Sequence, residues 1–414
     1  MAKPKLALIP AAQGTSLYSV LPSSGVGDFS FTRSGSATRI NAQGLIETVA
    51  SGVSRLNYQM IDGVVKGCPH HILEPQRTNL VTYSEDFNDA SWIKTDSSVT
   101  SGFLSLNGTL NADKLIPNTD NTPNHYIRKT VSISNLTDYS YSFFAKKGEY
   151  NFVSTYLSAL GGAYSWDLEN GVVIFGSNAF IENYGNGWYR CGLNATSSST
   201  SLSYRIYANK YSDRNISFQG DGTSGVYIWG AQLEESSYPT SYIKTTSAAV
   251  TRSAETANGS GDAATFNNSE GVLMLETAAL ADSSNFRNFS LSDGSTSNLI
   301  SFILTSTNVI RIDFTNQAQL YDLTTDIKNN NKILVSYKLN EVKLYVNGFL
   351  KAIDTNATMP TNLNTLRFDN TIGEPLYSKT KQIQYFDTAD IDLEQLTSWV
   401  SFQEMAEAQL YTIE

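Results

Sequence analysis

From Tyr139 to Ala145 every second position is apolar, with Tyr139, Tyr141, Phe143 and Ala145 on one face of an extended segment. The stretch "SLSYRIYAN" repeats the pattern: Leu202, Tyr204, Ile206 and Ala208 share one face, and Ser203, Arg205, Tyr207 and Asn209 point the other way. Turn residues punctuate such runs in "KKGEY", "LENGVV", "YGNGWY" and "GDGTSG". Many short strands with frequent turns and almost no helical periodicity predict an antiparallel β-sandwich over residues 81–245. Its last strand is read in "YIWGAQLEESSYPTSYIKT", apolar on both faces until Gln232, Glu234 and Glu235 reach solvent, with Pro239 stopping the ladder.

The flanking regions differ. Residues 1–80 carry short apolar pieces ("LALIP", "LYSVLP", "GLIETVA") separated by Gly, Ser and Pro, which is poor material for a separate core. They predict extended segments that dock on another domain or another subunit, an anchoring and oligomerising region. Residues 246–264 are small and polar and read as a linker. Residues 265–414 are predicted as a second sandwich. Its clearest unit is "NNNKILVSYKLNEVKLYVNGFLKAID", two alternating runs about the turn "KLNE" with a second turn at Asn347-Gly348. Leu393, Leu396, Val400 and Met405 then fall near helical spacing behind acidic residues, predicting one short C-terminal helix.

Composition supports strands over helices. Only 16% of the 414 residues are charged, below the typical quarter, and Ser, Thr, Asn and Gly fill the deficit. The net charge of −10, with no basic run, argues against nucleic acid and anionic lipid as partners. No stretch has the length of a membrane span, so membrane insertion is not expected. The N-terminal apolar run is broken by Pro10 and is too short for a signal core, which points to synthesis in a cytoplasm. Cys68 and Cys191 make no disulfide framework.

Ordered blocks also resemble known families. "FSFTRSGSATRINAQGLIETVASGVSRLNYQ", "ILEPQRTNLVTYSEDFNDASW", "IENYGNGWYRCGL" and "IWGAQLEESSYPTSYIKTTSAAVTRSAE" resemble a module set of tailed-bacteriophage head-spike, head-fibre and tail-fibre proteins. The middle of that region is similar to carbohydrate-binding modules with a jelly-roll sandwich. "GVLMLETA", "ILVSYKLNEVKLYVNGFLKAID" and "KQIQYFDTADIDLEQLTS" resemble the laminin-G or concanavalin-A-like lectin sandwich. These resemblances imply a surface component of a virion, made in the host bacterial cytoplasm and assembled as a homo-oligomer, a trimer by the habit of such proteins. They further imply that residues 1–80 contact other virion proteins and that host-surface glycans are ligands.

Candidate chemistry was sought beside that resemblance. The three histidines, His70, His71 and His125, do not make a zinc set, because neighbours on a strand diverge and Cys68 adds only one ligand. There is no G-x-S-x-G elbow and no phosphate loop. A glycosidase needs two carboxylates about 5 to 10 Å apart across a cleft. The pairs Glu234-Glu235 and Asp167/Glu169 read instead as acids at strand ends. Saccharides present apolar ring faces and hydroxyls, which an aromatic beside amide or guanidinium groups suits. Arg205, Tyr207 and Asn209, with Tyr156, Tyr164 and Trp166 on neighbouring strands, are therefore the candidate glycan site, against the alternative that these rings belong to a core or an interface. Trp188 is expected in the core. No cofactor is expected. For a structural calcium, to which the lectin resemblance points, Asp282, Asp293 and Asp369 are the candidate ligands.

The sequence thus predicts an all-β chain: two antiparallel jelly-roll sandwiches in tandem after an N-terminal attachment segment, with a short C-terminal helix. The expected function is non-enzymatic, a phage fibre, spike or adhesin that binds glycans. The rivals are a decoration or head–tail joining protein without a receptor, and a glycan-degrading enzyme.

Overall fold

A computed structural model describes residues 3–10, 20–22, 25–122, 124–212, 217–282, 285–305, 308–315, 318–370 and 373–398. The chain is almost entirely β, with the single short helix Leu393–Ser398 among the described residues. Two sandwiches of antiparallel sheets account for most of it, with three two-stranded ladders beside them.

The first sandwich pairs two six-stranded sheets. One runs Ala179–Asn183, Trp188–Thr196, Asp138–Lys147, Val226–Glu235, Ala112–Pro117, Ser97–Phe103; the other runs Val172–Phe175, Gly162–Asp167, Phe152–Leu157, Ser201–Asn209, Tyr126–Ser132, Ile93–Thr95. Both alternating faces read from the sequence lie in the core between them: Tyr139, Tyr141, Phe143 and Ala145 from one sheet meet Leu202, Tyr204, Ile206 and Ala208 from the other. Trp188 is buried as expected, in a smaller cluster with Phe144, Trp229 and Tyr242 on the opposite side of its sheet.

The second sandwich pairs an eight-stranded sheet with a seven-stranded one. The expected hairpins occur as Asn331–Lys338, Glu341–Val346 and Phe349–Asp354, with left-handed Asn340 in the first turn and Asn347-Gly348 in the second. The helix caps on Asp392, whose Oδ1 accepts the Gln395 amide at 2.8 Å, and buries Leu396. Val400 and Met405 lie outside the described residues.

The N-terminal pieces divide between the sandwiches: the hairpin Ala37–Ile40 and Ile46–Val49 packs Ile46 against Phe144, Trp188 and Trp229 of the first, and the others build into the second. Leu6–Leu8 pairs with Ser378–Phe386, Val64–Ile72 extends the same sheet from that strand, and Ser30–Thr32 forms the edge of the opposite sheet. Leu6, Leu8, Phe29 and Leu73 join the second core. The stretch 246–264 also differs from a free linker. Val250–Arg252 pairs with Arg77–Asn79, and Thr256–Ser260 is inserted between Ser30–Thr32 and Thr365–Arg367. Its small, polar composition conceals this, because what fixes it in place is two buried charges.

Those charges belong to a cluster where the N-terminal region, the end of the first sandwich and the 250s meet. Arg55, fully buried, donates from Nε to Glu255 Oε1 at 2.8 Å, from Nη2 to Glu255 Oε2 at 2.5 Å and from Nη2 to Glu74 Oε2 at 2.9 Å. Arg33 Nη1 reaches Glu255 Oε1 at 2.7 Å, and Arg252 Nη1 lies 3.0 Å from Glu74 Oε2. Ser241 completes the shell, its amide and hydroxyl donating to Glu74 at 2.8 and 2.6 Å. Glu234 and Gln232, expected in solvent, are buried as well. Glu234 accepts the Thr240 amide at 2.9 Å and the Thr240 hydroxyl, and Gln232 Oε1 accepts the Ile243 amide at 2.6 Å. The chain after Pro239 folds back over its own strand and covers them; only Glu235 is exposed.

Candidate functional site

The strand Ser201–Asn209 carries the site. Its even-numbered residues fill the first core, so Arg205, Tyr207 and Asn209 stand on the face turned away from it. On one side Phe152–Leu157 sets Tyr156 directly opposite Arg205; on the other Tyr126–Ser132 sets Tyr126 opposite Tyr207 and Arg128 opposite Arg205. Register alone therefore gathers three tyrosines around one guanidinium.

The Arg205 guanidinium carbon lies 4.9 Å from the ring centroid of Tyr126 and 5.2 Å from that of Tyr156. Its Nη1 donates to the Tyr207 hydroxyl at 3.3 Å, and the Tyr126 and Tyr207 rings meet at 5.0 Å and 62°. Tyr126 and Tyr207 are buried, whereas Tyr156 is 38% exposed and Arg205 is half-buried with Nε lacking a partner. The hydrogen bond to Tyr207 holds the Arg205 guanidinium above its ordinary range, and burial raises the Tyr207 hydroxyl, so both keep their protons at neutral pH. Such a surface offers the exposed part of the Tyr156 ring beside a guanidinium that the Tyr126 ring and the Tyr207 hydroxyl hold in place.

The other candidates separate from this group. Tyr164 and Trp166 face the opposite way, into the core, with Tyr164 Oη donating to the Leu160 carbonyl at 2.8 Å and Trp166 Nε1 to the Phe180 carbonyl at 2.9 Å. The alternation Tyr164, Trp166 against Ser165 was legible, but the direction of the strand's inner face was not. Asn209 shares the outer face yet is buried, its amide donating to Ser154, which in turn pairs with Ser165 at 2.6 Å. Sequence reasoning missed Tyr126 and Arg128. Their signal was the alternation of "YIRKTVS", which puts both opposite the core residue Ile127.

The three candidate calcium ligands are not brought together. Asp282 Oδ2 meets Lys328 Nζ at 2.8 Å, Asp293 Oδ1 accepts the Ser295 amide and hydroxyl at 2.8 and 2.6 Å, and Asp369 is held by Arg367 Nε at 2.7 Å. Among the described residues no three His, Cys, Asp or Glu side chains gather as a metal set. Asp167 Oδ1 caps the turn at Glu169 and Asn170 at 2.8 and 3.1 Å. His125 is buried between the carbonyls of Asp96 and Phe218 at 2.7 and 2.8 Å. Burial and then the Lys379 charge push the His70 imidazole well below its ordinary range.

No family model matches the sequence, and no curated protein matches it. Parts of the chain are similar to solved structures. One is the CBM40 of the Ruminococcus gnavus IT-sialidase bound to alpha2,3 sialyllactose, at 14% identity and a TM-score of 0.29 over 32% of this chain and 84% of that one. Another is Domain 4 of AbnA, a GH43 extracellular arabinanase from Geobacillus stearothermophilus, in complex with arabinotriose, at 12% identity and a TM-score of 0.29 over 40% of this chain and 82% of that one. A third is the LG4-5 pair of the mouse laminin alpha1 chain, at 10% identity and a TM-score of 0.23 over 64% of this chain and 89% of that one.

Proposed function

We propose that this protein is a non-enzymatic glycan-binding protein that uses the outer face of its first sandwich, and that it serves as a surface fibre, spike or adhesin of a tailed-phage particle. The observation that carries the binding role is Arg205, half-buried between the Tyr126 and Tyr156 rings, with the Tyr156 ring 38% exposed beside it. A sugar ring stacks on Tyr156 while its hydroxyls meet the solvent side of the Arg205 guanidinium, and the tyrosine shell pre-orders that group so that little side-chain entropy is lost. The phage setting rests on the ordered sequence blocks between residues 28 and 256. One shallow site of this kind binds weakly, and many copies on a particle turn weak contacts into avidity.

The test is a neutral-oligosaccharide array followed by titration of the best binder. Tyr156→Ala and Arg205→Ala are each expected to weaken binding about tenfold or more, a loss of ~1–2 kcal/mol. Leu339→Ala, on a distant turn of the second sandwich, leaves it unchanged. No glycan binding at millimolar ligand, or binding indifferent to both site substitutions, refutes the assignment.

A further inference from the structure

An opening of about 800 Å³ lies where the segments around Arg77 and Tyr238 face the second sandwich at Arg287 and Tyr377. Arg287 starts the strand Arg287–Ser292 and is 7% exposed. Its Nη1 donates to the Ala281 carbonyl at 2.5 Å, but Nε and Nη2, both buried beneath the wall of the opening, have no partner. These two nitrogens form one edge of the guanidinium fork, the edge that takes both oxygens of a carboxylate. A buried cation with an unfilled bidentate edge is costly to maintain, and native proteins rarely leave such groups without a purpose.

The carboxylates nearby do not fill it. Asp282 Oδ2 is bound to Lys328 while its Oδ1 is buried without a hydrogen-bond partner, and Glu374 Oε2 accepts the side-chain amides of Asn288 at 3.1 Å and Asn370 at 2.8 Å. Desolvation accordingly holds the Arg287 guanidinium below its ordinary range, although Tyr238 and Asp282 act against it. The rest of the wall suits a sugar ring. Arg77 lies 5.5 Å from the Tyr238 ring centroid with its own Nε unpartnered, and Tyr238, Tyr377 and the exposed Phe286 supply ring faces and hydroxyls.

We propose that this opening binds an acidic saccharide unit, a uronic acid, whose carboxylate docks on the Nε and Nη2 edge of Arg287 and whose ring lies among Tyr238, Tyr377 and Arg77. The site is separate from the Arg205 face and does not depend on it. One chain then presents two sites of different chemistry, one for neutral glycan on the outer face of the first sandwich and one for acidic glycan in the opening beside the second.

The test titrates glucuronate, glucose and acetate into the full chain by calorimetry. Glucuronate is expected to bind at least tenfold more tightly than either of the others, since only it satisfies both the fork and the rings. Arg287→Lys, which keeps the charge but loses the fork, weakens glucuronate at least tenfold; Tyr156→Ala leaves it unchanged. Arg287→Met abolishes binding without lowering the thermal midpoint, because it removes a buried charge that has no carboxylate partner. Arg77→Gln at the rim gives a partial loss and covers the case of a misfolded core variant. Absence of glucuronate binding to the parent chain, or binding that survives Arg287→Lys and Arg77→Gln unchanged, overturns the proposal. Equal affinity for acetate and glucuronate overturns the saccharide assignment. Because Tyr156→Ala separates the two sites, failure here leaves the neutral-glycan reading intact.

Discussion

Glu255 takes hydrogen bonds from two arginines while its neighbour Glu74 holds a third, and none of these side chains reaches water. Removing one member leaves buried charge without a partner, which costs more than the pair contributes. Glu255→Gln is expected to destabilise the chain by about 3–5 kcal/mol in urea unfolding at neutral pH. The same cluster sets a pH dependence. Burial raises the Glu74 carboxyl, but the charges of Arg252 and Arg55 and the two bonds from Ser241 outweigh it and hold the group well below its ordinary value of 4.5. As pH falls below that value the unfolded chain takes up the proton first, so the stabilisation present at neutral pH is lost progressively in acid. Unfolding midpoints measured from pH 6 to pH 3 should fall steeply, and Glu74→Gln, less stable at pH 6, should show a shallower fall. Residue chemistry was legible where one side chain sufficed, as for the alternating tyrosines. It was not legible here, because Arg33, Arg55, Glu74, Arg252 and Glu255 are scattered along the sequence among ordinary surface residue types.

At the level of the element, the strand Val226–Glu235 shows what periodicity captures and where it slips. Burial on both faces was expected and occurs, because the strand lies between Asp138–Lys147 and Ala112–Pro117 in the middle of its sheet. The alternation Tyr227, Trp229, Ala231, Leu233 does not keep to one face. Gly230 and Ala231 stand together against Phe143, a bulge that shifts the register, so Val226, Ile228, Ala231 and Leu233 face the first core while Trp229 faces the smaller cluster with Phe144 and Tyr242. Gly230 sits at φ +62°, and a Cβ there would lie 2.9 Å from Phe144 Cδ2. Gly230→Ala is therefore expected to cost ~1–3 kcal/mol through backbone strain and contact with Phe144, read as a lowered urea midpoint with unchanged slope. Only glycine within an apolar run hinted at this, and a glycine alone does not say which way the register moves.

Over the whole molecule, much of the N-terminal eighty residues is the second sandwich's own material as well as a candidate attachment segment. Without them the second core loses Leu6, Leu8, Phe29 and Leu73, and the buried cluster loses Arg33, Arg55 and Glu74 while keeping Glu255. Deleting residues 1–80 is expected to abolish the cooperative unfolding of the second sandwich and expose apolar surface to a hydrophobic dye, before any question of assembly arises. A truncated chain that unfolds as sharply as the parent contradicts this packing. The sequence by itself determined the class of structure, the strands with clear two-residue alternation, the hairpin at Asn347-Gly348 and the sharing of one strand face by Arg205 and Tyr207, since each depends on neighbours close along the chain. The tertiary structure alone decided that residues 6–8, 30–32 and 64–72 cross to the far sandwich, that Tyr164 and Trp166 turn inward, and that Arg287 is buried with an unpartnered edge. Those outcomes depend on long-range pairing and on which face of a strand meets a core. A periodicity of two fixes that there are two faces, and only packing against a partner sheet selects the buried one.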